Sequence, residues 1–461
     1  MISILLYREI YFFQLCGYRF NKYFKYLINK GFKEKIILLL FLINIKIYKM
    51  ILYPLIIIYF IYLIFKQRKK LVFTKRVIRL LIIIYLLIII LFKYYFYIIP
   101  FFYLLIIISY IINYPYEKII YNYYKKKTIK RIKEFKGIKI VITGSYGKTS
   151  TKYYLYQTLK NRYNVFYTPN SYNTPMGISK CVLDKKYGLN NIYDVAIFEF
   201  GATKKNDIKE LVDMMDYDYS IVTSVGYQHL ETFKNINNII KEKLEVSKKG
   251  ICLINIDNIY LNKYKKNHKF ISYSLKEKSN IYLNNNIVYF NNKELFKIEI
   301  NLKGENNKLN ILSCIGICLL LNLDKELIKK GIKELKPMKN RLEIKELNNK
   351  IIIDNAFNSN YEGFIDSLNI LNNYQLEKWI ITPGLVELGY KEKEIHNKIG
   401  LKINEVCDYI LLVNKKNTKY LREVINRKYY LFKSFKQAYN YYLNNSKNSV
   451  LLIENDLPDN Y

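Results

Sequence analysis

The sequence predicts an α/β protein with N-terminal transmembrane helices, a parallel-sheet domain built around a glycine loop, and a C-terminal Rossmann-like α/β domain. Three observations predict it. Residues 1–116 hold long apolar tracts and only two acids, Glu9 and Glu34. From Gly137 onward, short apolar runs alternate with helical patterns, as in a parallel sheet with crossover helices. The first of those runs, 138–143, leads into Gly144-Ser145-Tyr146-Gly147-Lys148-Thr149-Ser150 and then into a helical stretch over 151–163.

Taken in order, the elements begin with apolar tracts over 36–65 and 80–112. Residues 50–65 and 94–112 carry no charge, and the second of these is close to the ~20 residues that a bilayer span needs. Lys66, Arg68, Lys69, Lys70, Lys75, Arg76 and Arg79 crowd the connection between the tracts. The positive-inside rule places such a connection in the cytoplasm. The expectation is a multi-pass membrane region over 1–116, with the remaining domains in the cytoplasm. Lys46 and Lys49 mark either the outer turn of a short hairpin or the boundary between an interfacial helix and a single span. A basic helix over 117–136 would lie beside anionic headgroups.

Strand candidates in the next domain (137–338) are 138–143, 165–168, 195–200, 220–225 and 251–256, with an antiparallel excursion over 270–302 and helices over 309–321 and 325–335. A boundary falls near Pro337. The C-terminal domain (339–461) has strand candidates at 351–354, 379–382, 409–413 and 450–453, and helices over 392–407 and 435–443.

The chain has 461 residues, room for two or three domains, and a formal charge of +36. So basic a chain suggests nucleic acid or an anionic membrane. It is also saturated with Lys, Asn, Ile and Tyr, a set that AT-rich codons favour. No nucleic-acid module is visible and no such partner is expected. Cys16, Cys181, Cys252, Cys314, Cys318 and Cys407 are scattered without metal-site pairing, which suits a reducing compartment.

The chemistry starts at residues 144–150. A strand, a glycine turn and a helix N-terminus aim backbone N–H groups at an anion, and Lys148 adds a full charge. Thr149 sets a hydroxyl where a phosphate-bound Mg²⁺ takes a ligand. The expected ligands are ATP and Mg²⁺. Two residues separate Gly144 from Gly147-Lys148, where the common loop has four. Further polar segments follow at strand ends: 168–177, Phe198-Glu199-Phe200-Gly201-Ala202, the 223–233 segment with His229, and Lys241-Glu242-Lys243-Leu244-Glu245 on the helix after it. Ligands of open parallel sheets sit at those carboxyl ends.

Together these segments resemble the Mur ligase family, and within it the D-alanyl-D-alanine-adding (MurF-like) branch. The short glycine loop, residues 170–177, Glu199-Phe200-Gly201, and Gln228-His229-Leu230-Glu231-Thr232-Phe233 are similar to its motifs in order. So are Gly304-Glu305-Asn306-Asn307-Lys308-Leu309-Asn310, Asn340-Arg341-Leu342-Glu343, residues 354–360 and Val386-Glu387-Leu388-Gly389. The whole chain resembles a membrane-anchored subgroup that ends in a tail like residues 454–461.

The resemblance implies an ATP-dependent carboxylate–amine ligase that works through an acyl phosphate in peptidoglycan precursor synthesis. It implies that Gly144, Ser145, Tyr146, Gly147, Lys148, Thr149 and Ser150 hold the phosphates, that Thr149 and Glu199 hold one Mg²⁺, and that His229 serves a second. Lys243 aligns with a lysine that is carbamylated, Asn310 with an adenine contact, and Arg341 and Asp354 with C-terminal groups that reach the nucleotide. Lys148, His229 and Lys243 carry the catalytic roles. The implied partners are a cell-wall precursor, or a lipid-linked acceptor suggested by the anchor, and an amino acid or dipeptide amine. The family's N-terminal uridine-nucleotide domain has no counterpart here. Asn355 and Asn306 replace a common Asp and His, and residues 454–459 replace a basic terminal motif. A poly-γ-glutamate synthase-like ligase and a non-catalytic nucleotide-binding scaffold are the alternatives.

Overall fold

The computed structural model describes residues 2–20, 22–24, 26, 71–90, 102–169, 171–347, 349–357 and 360–455. The chain divides into two compact units, residues 1–123 and 124–457.

In the first unit, α1 (Ile2–Leu15), α2 (Lys75–Ile90) and the first part of α3 (Phe102–Glu134) supply a core of Ile10, Phe13, Leu80, Ile84 and Ile106. Glu9 is buried there and accepts a hydrogen bond from the Tyr23 hydroxyl at 2.7 Å. Among the described residues, no helix is long and apolar enough to cross a membrane. That finding overturns the expected N-terminal transmembrane helices and the multi-pass membrane location. The physical reason lies in the length of the described helices and in what they carry. α2 has 16 residues and opens on Lys75, Arg76 and Arg79. At 1.5 Å per residue it reaches about 24 Å, short of a ~30 Å hydrocarbon core. α3 is long, but its apolar part meets Asn113, Pro115 and Glu117 before a run of lysines. Arg79 Nε donates to that Glu117 at 2.9 Å. The tract over 36–65 and residues 91–101 lie outside the described residues.

The second unit holds two sheets. The larger has strand order β2-β3-β1-β4-β5-β6-β7-β8-β9, formed by β1 (Ile138–Thr143), β2 (Val165–Tyr167), β3 (Val195–Glu199), β4 (Tyr219–Val222), β5 (Ile251–Asn255), β6 (Phe270–Ser274), β7 (Ile281–Asn284), β8 (Ile287–Phe290) and β9 (Lys293–Lys297). β1 lies between β3 and β4, parallel to both. Its residues Ile140, Val141 and Ile142 are fully buried, as expected of a strand covered on both faces. Residues 270–302 divide differently from the expected antiparallel excursion. β6 and β7 continue the sheet in parallel, and β8 is the reversed strand, pairing antiparallel with both β7 and β9. Apolar alternation gives a strand its faces, not the direction of its neighbour.

Helices α4 (Lys148–Leu159), α5 (Pro175–Val182), α6 (Asp207–Met214), α7 (Leu230–Phe233), α8 (Ile236–Leu244), α9 (Glu305–Leu320) and α10 (Lys325–Lys333) accompany this sheet. The second sheet has order β10-β11-β15-β12-β13-β14. It comprises β10 (Glu343–Leu347), β11 (Lys350–Asn355), β12 (Glu377–Thr382), β13 (Tyr409–Val413), β14 (Tyr429–Phe432) and β15 (Ser449–Glu454). All neighbours pair in parallel except β10, an antiparallel edge on β11. α11 (Tyr361–Asn372) and α12 (Glu392–Val406) belong to this half.

Candidate active site

The site forms where β1 turns into α4. Gly144 and Gly147 hold φ of +152° and +80°, conformations that favour glycine. Space requires glycine as well. A Cβ on Gly144 would lie 2.1 Å from the Thr223 hydroxyl, and one on Gly147 would lie 2.6 Å from Asn310 Oδ1. The loop is buttressed by the segment after β4. Ser145 N donates to Ser224 O at 2.9 Å, Tyr146 N to Ser224 Oγ at 2.9 Å, and Gly226 N to Ser145 Oγ at 3.0 Å.

Lys148 Nζ donates to Gly144 O at 2.8 Å and Ser145 O at 3.1 Å. Burial, helped by Arg341 and Lys152 and opposed by Glu199, pushes this amine down to about 8. Thr149 is buried, and its hydroxyl accepts from Arg341 Nη2 at 3.3 Å. Arg341 also lies over the Phe357 ring, 4.5 Å from its centre.

Glu199 ends β3 and is 1% exposed. Its carboxylate accepts from Lys152 Nζ at 2.9 Å and Asn173 Nδ2 at 3.0 Å. Burial pushes this carboxyl up, but Lys152 and Lys148 outweigh it and hold the group below its ordinary range. Lys243, on α8, is also buried. Burial and then Lys148 push its amine down to about 7, with Glu242, Asp207 and Glu199 opposing. The neighbouring Glu242 has a different task, accepting from Asn206 N at 2.8 Å and Ile208 N at 2.6 Å at the start of α6.

The structure thus gathers Lys148, Thr149, Glu199, Lys243, Asn310 and Arg341 about one strand end. His229 stands at φ +54° before α7, and its Nδ1 meets the Glu387 carboxylate of the 386–389 segment. Asp354 is engaged locally. It sits on β11, accepting from Lys345 Nζ at 3.1 Å and Ala356 N at 3.2 Å. Among the described residues, no three His, Cys, Asp or Glu side chains form a metal-binding group. The pair of the Thr149 hydroxyl and the Glu199 carboxylate fits Mg²⁺, a hard cation that binds through a few protein oxygens and takes phosphate oxygens and water for the rest.

Lys152, Asn173, Glu387 and Glu362 were not singled out by sequence reasoning. Lys152 had a usable signal, since it lies four residues past Lys148 and so on the same helix face. Asn173 lies inside a segment already singled out. Glu387 likewise lies inside the 386–389 segment, whereas Glu362 had no local signal, because its neighbours come from distant segments.

Residues 142–318 match the Mur ligase middle domain family. The chain is 32% identical over 289 residues to a UDP-N-acetylmuramoyl-tripeptide–D-alanyl-D-alanine ligase of Buchnera aphidicola subsp. Baizongia pistaciae, covering 58% of this chain and 62% of that one. It is 26% identical over 332 residues to the enzyme of the same name from Borreliella burgdorferi, covering 68% and 71%. The fold is shared with MurF ligase from Thermotoga maritima in complex with ADP, at a TM-score of 0.65 and 23% identity, over 73% of this chain and 80% of that one. The chain therefore spans a little under two thirds of the Buchnera relative and more of the other two.

Proposed function

We propose that the chain is an ATP-dependent, MurF-like peptide ligase of peptidoglycan precursor synthesis, a reading supported by the match of residues 142–318 to the Mur ligase middle domain. The relatives' names point to UDP-N-acetylmuramoyl-tripeptide as the acid and D-alanyl-D-alanine as the amine. The observation that carries the reading is the convergence of Lys148, Thr149, Glu199 and Lys243 at the carboxyl ends of the parallel strands.

In this reading the glycine loop and Lys148 orient the triphosphate, and Arg341 approaches from the C-terminal domain. Thr149 and Glu199 would hold Mg²⁺, which would supply charge neutralisation on the transferring phosphoryl group. The substrate carboxylate attacks that group, and an acyl phosphate and ADP result. The amine then attacks the acyl carbon, and phosphate leaves with the bonding electrons. Lys148 would move from the Gly144 and Ser145 carbonyls to the phosphates and stabilise the charge that develops there. Lys243, with an amine near neutrality, is suited to carbamylation, since only the uncharged amine adds CO₂. His229 serves a second metal in this reading, and Asn310 borders the adenine side of the loop.

The test is incubation with ATP, Mg²⁺, UDP-N-acetylmuramoyl-tripeptide and D-alanyl-D-alanine, with mass analysis of the products. The expected product is the acid extended by the dipeptide with loss of water, formed only when all components are present. Absence of that mass, with the protein folded and nucleotide-bound, would overturn the proposal.

A further inference from the structure

We propose that Glu362 forms the anionic subsite that holds the ammonium group of the incoming amine and accepts its proton. The inference rests on the ligase reading above. Glu362 occupies the first turn of α11, in the C-terminal half of the chain. Its carboxylate is pressed against the backbone of the central domain. A Cβ on Gly226 would lie 3.3 and 3.4 Å from its two oxygens and 3.6 Å from the Tyr146 ring. Gly226 is held by Ser145 of the glycine loop. The acid therefore sits across from the loop that would carry the transferring phosphate.

Its surroundings are unusual for a carboxylate. Among the described residues no cation and no side-chain donor pairs with it. The titratable groups that feel its charge are Tyr146 and Tyr260. Burial raises its carboxyl above the ordinary value, with only its own backbone N–H opposing. A first-turn acid gains from the helix dipole wherever it points. That gain does not require holding the half-buried charge against Gly226 and the Tyr146 ring, which costs free energy unless the charge is paired. A ligand cation would complete the arrangement.

The chemistry calls for one. An α-amine has a pKa of about 8, so most of it is charged at neutral pH. It cannot attack until it loses a proton. Glu362 would take one proton from the ammonium, leaving a nitrogen lone pair. That nitrogen forms the C–N bond with the acyl phosphate carbon as the C–O bond to phosphate breaks. The second amine proton leaves with phosphate.

The experiment compares wild type with Glu362→Gln, a substitution that keeps the shape and removes the charge. Phosphate release is measured against D-alanyl-D-alanine concentration and, separately, against ATP. The expected result is a KM for the dipeptide raised at least tenfold and a lower kcat, with the ATP KM within twofold of wild type. Unchanged amine kinetics would overturn the subsite. A second measurement needs no turnover. In the presence of ADP, wild type is expected to bind D-alanyl-D-alanine at least tenfold tighter than propionyl-D-alanine, which lacks the amine. Glu362→Gln is expected to bind the two alike. Equal binding of both by wild type would also overturn the subsite. A wild-type protein that forms no amide but still discriminates the two ligands would refute the ligase reading and leave the ammonium subsite standing.

Discussion

The two sheets of the second unit treat the polar groups at their strand ends differently. At the larger sheet, cations are forced together. Lys148, Lys152 and Lys243 cluster around Glu199, and two of the amines are pushed down to about 8 and 7. At the smaller sheet, comparable groups are tied off locally. Asp354 is held by Lys345 at 3.1 Å, and buried Glu454 accepts from Asn355 at 2.9 Å and Ser367 at 2.6 Å. Asn455 donates to Gly384 O at 2.7 Å, and Leu385 N donates to His396 Nε2 at 3.0 Å. The first arrangement stores unfavourable charge where an anionic ligand would relieve it. The second uses its polar groups to fix the segments that present Arg341 and Glu387. The contrast is between crowded cations at one sheet and locally paired polar groups at the other.

Substitutions that break this contrast are ranked by expected effect. Lys148→Ala should reduce phosphate release by roughly a thousandfold while leaving the melting temperature within a few degrees, the scale of losing one stabilising charge. Equal loss of stability and activity would assign Lys148 to the scaffold. Lys152→Met should leave Glu199 buried without its cation. A cost of about 3–5 kcal/mol is typical of breaking such a pair, and chemical denaturation would read it. A loss below ~1 kcal/mol would mean that the pair does not hold Glu199.

Lys243→Met sharpens the comparison through pH. The Lys243 amine ionises near its ordinary 10.5 when unfolded and near 7 in the fold. The folded state is therefore penalised wherever that amine must be charged. The penalty is full below about pH 7 and fades between pH 7 and 10.5. The Met variant should melt above wild type at pH 6, with the gap closing as pH rises toward 10. A gap that does not vary with pH would contradict the buried amine. Smallest in scale is Asp366→Ala. Asp366 accepts from Glu305 N and Asn306 N at 3.1 Å each, at the start of α9. Loss of such a cap costs about 0.5–2 kcal/mol. Thermal melting should register it with catalysis largely kept.

The glycine loop was legible because its signal is local. A strand, two glycines, a lysine and a hydroxyl are contiguous, and the structure turns β1 into a helix through them, with that helix spanning Lys148–Leu159 rather than 151–163. Glu199, Lys243 and Asn310 were legible through their places at strand ends and on helices within a recognisable order of segments. Lys152 was not, because 74 Lys and Arg residues hide one buried lysine whose partner lies 47 positions away. Edge strands β10 and β14 escaped notice because Glu343-Ile344-Lys345-Glu346-Leu347 mixes charge into its pattern and Tyr429–Phe432 is short. The N-terminal region misled through composition. Hydropathy counts apolar residues but does not weigh what interrupts them: α2 opens on Lys75, Arg76 and Arg79, and the apolar part of α3 meets Asn113, Pro115 and Glu117.

One measurement tests the central claim most directly. The acceptor is prepared with oxygen-18 in its carboxylate, and the phosphate released with ATP and the dipeptide is analysed by mass. Activation of the acid as an acyl phosphate predicts one heavy oxygen in each phosphate released. Phosphate free of the label would contradict the account, because ATP would then have been spent without activating the acid.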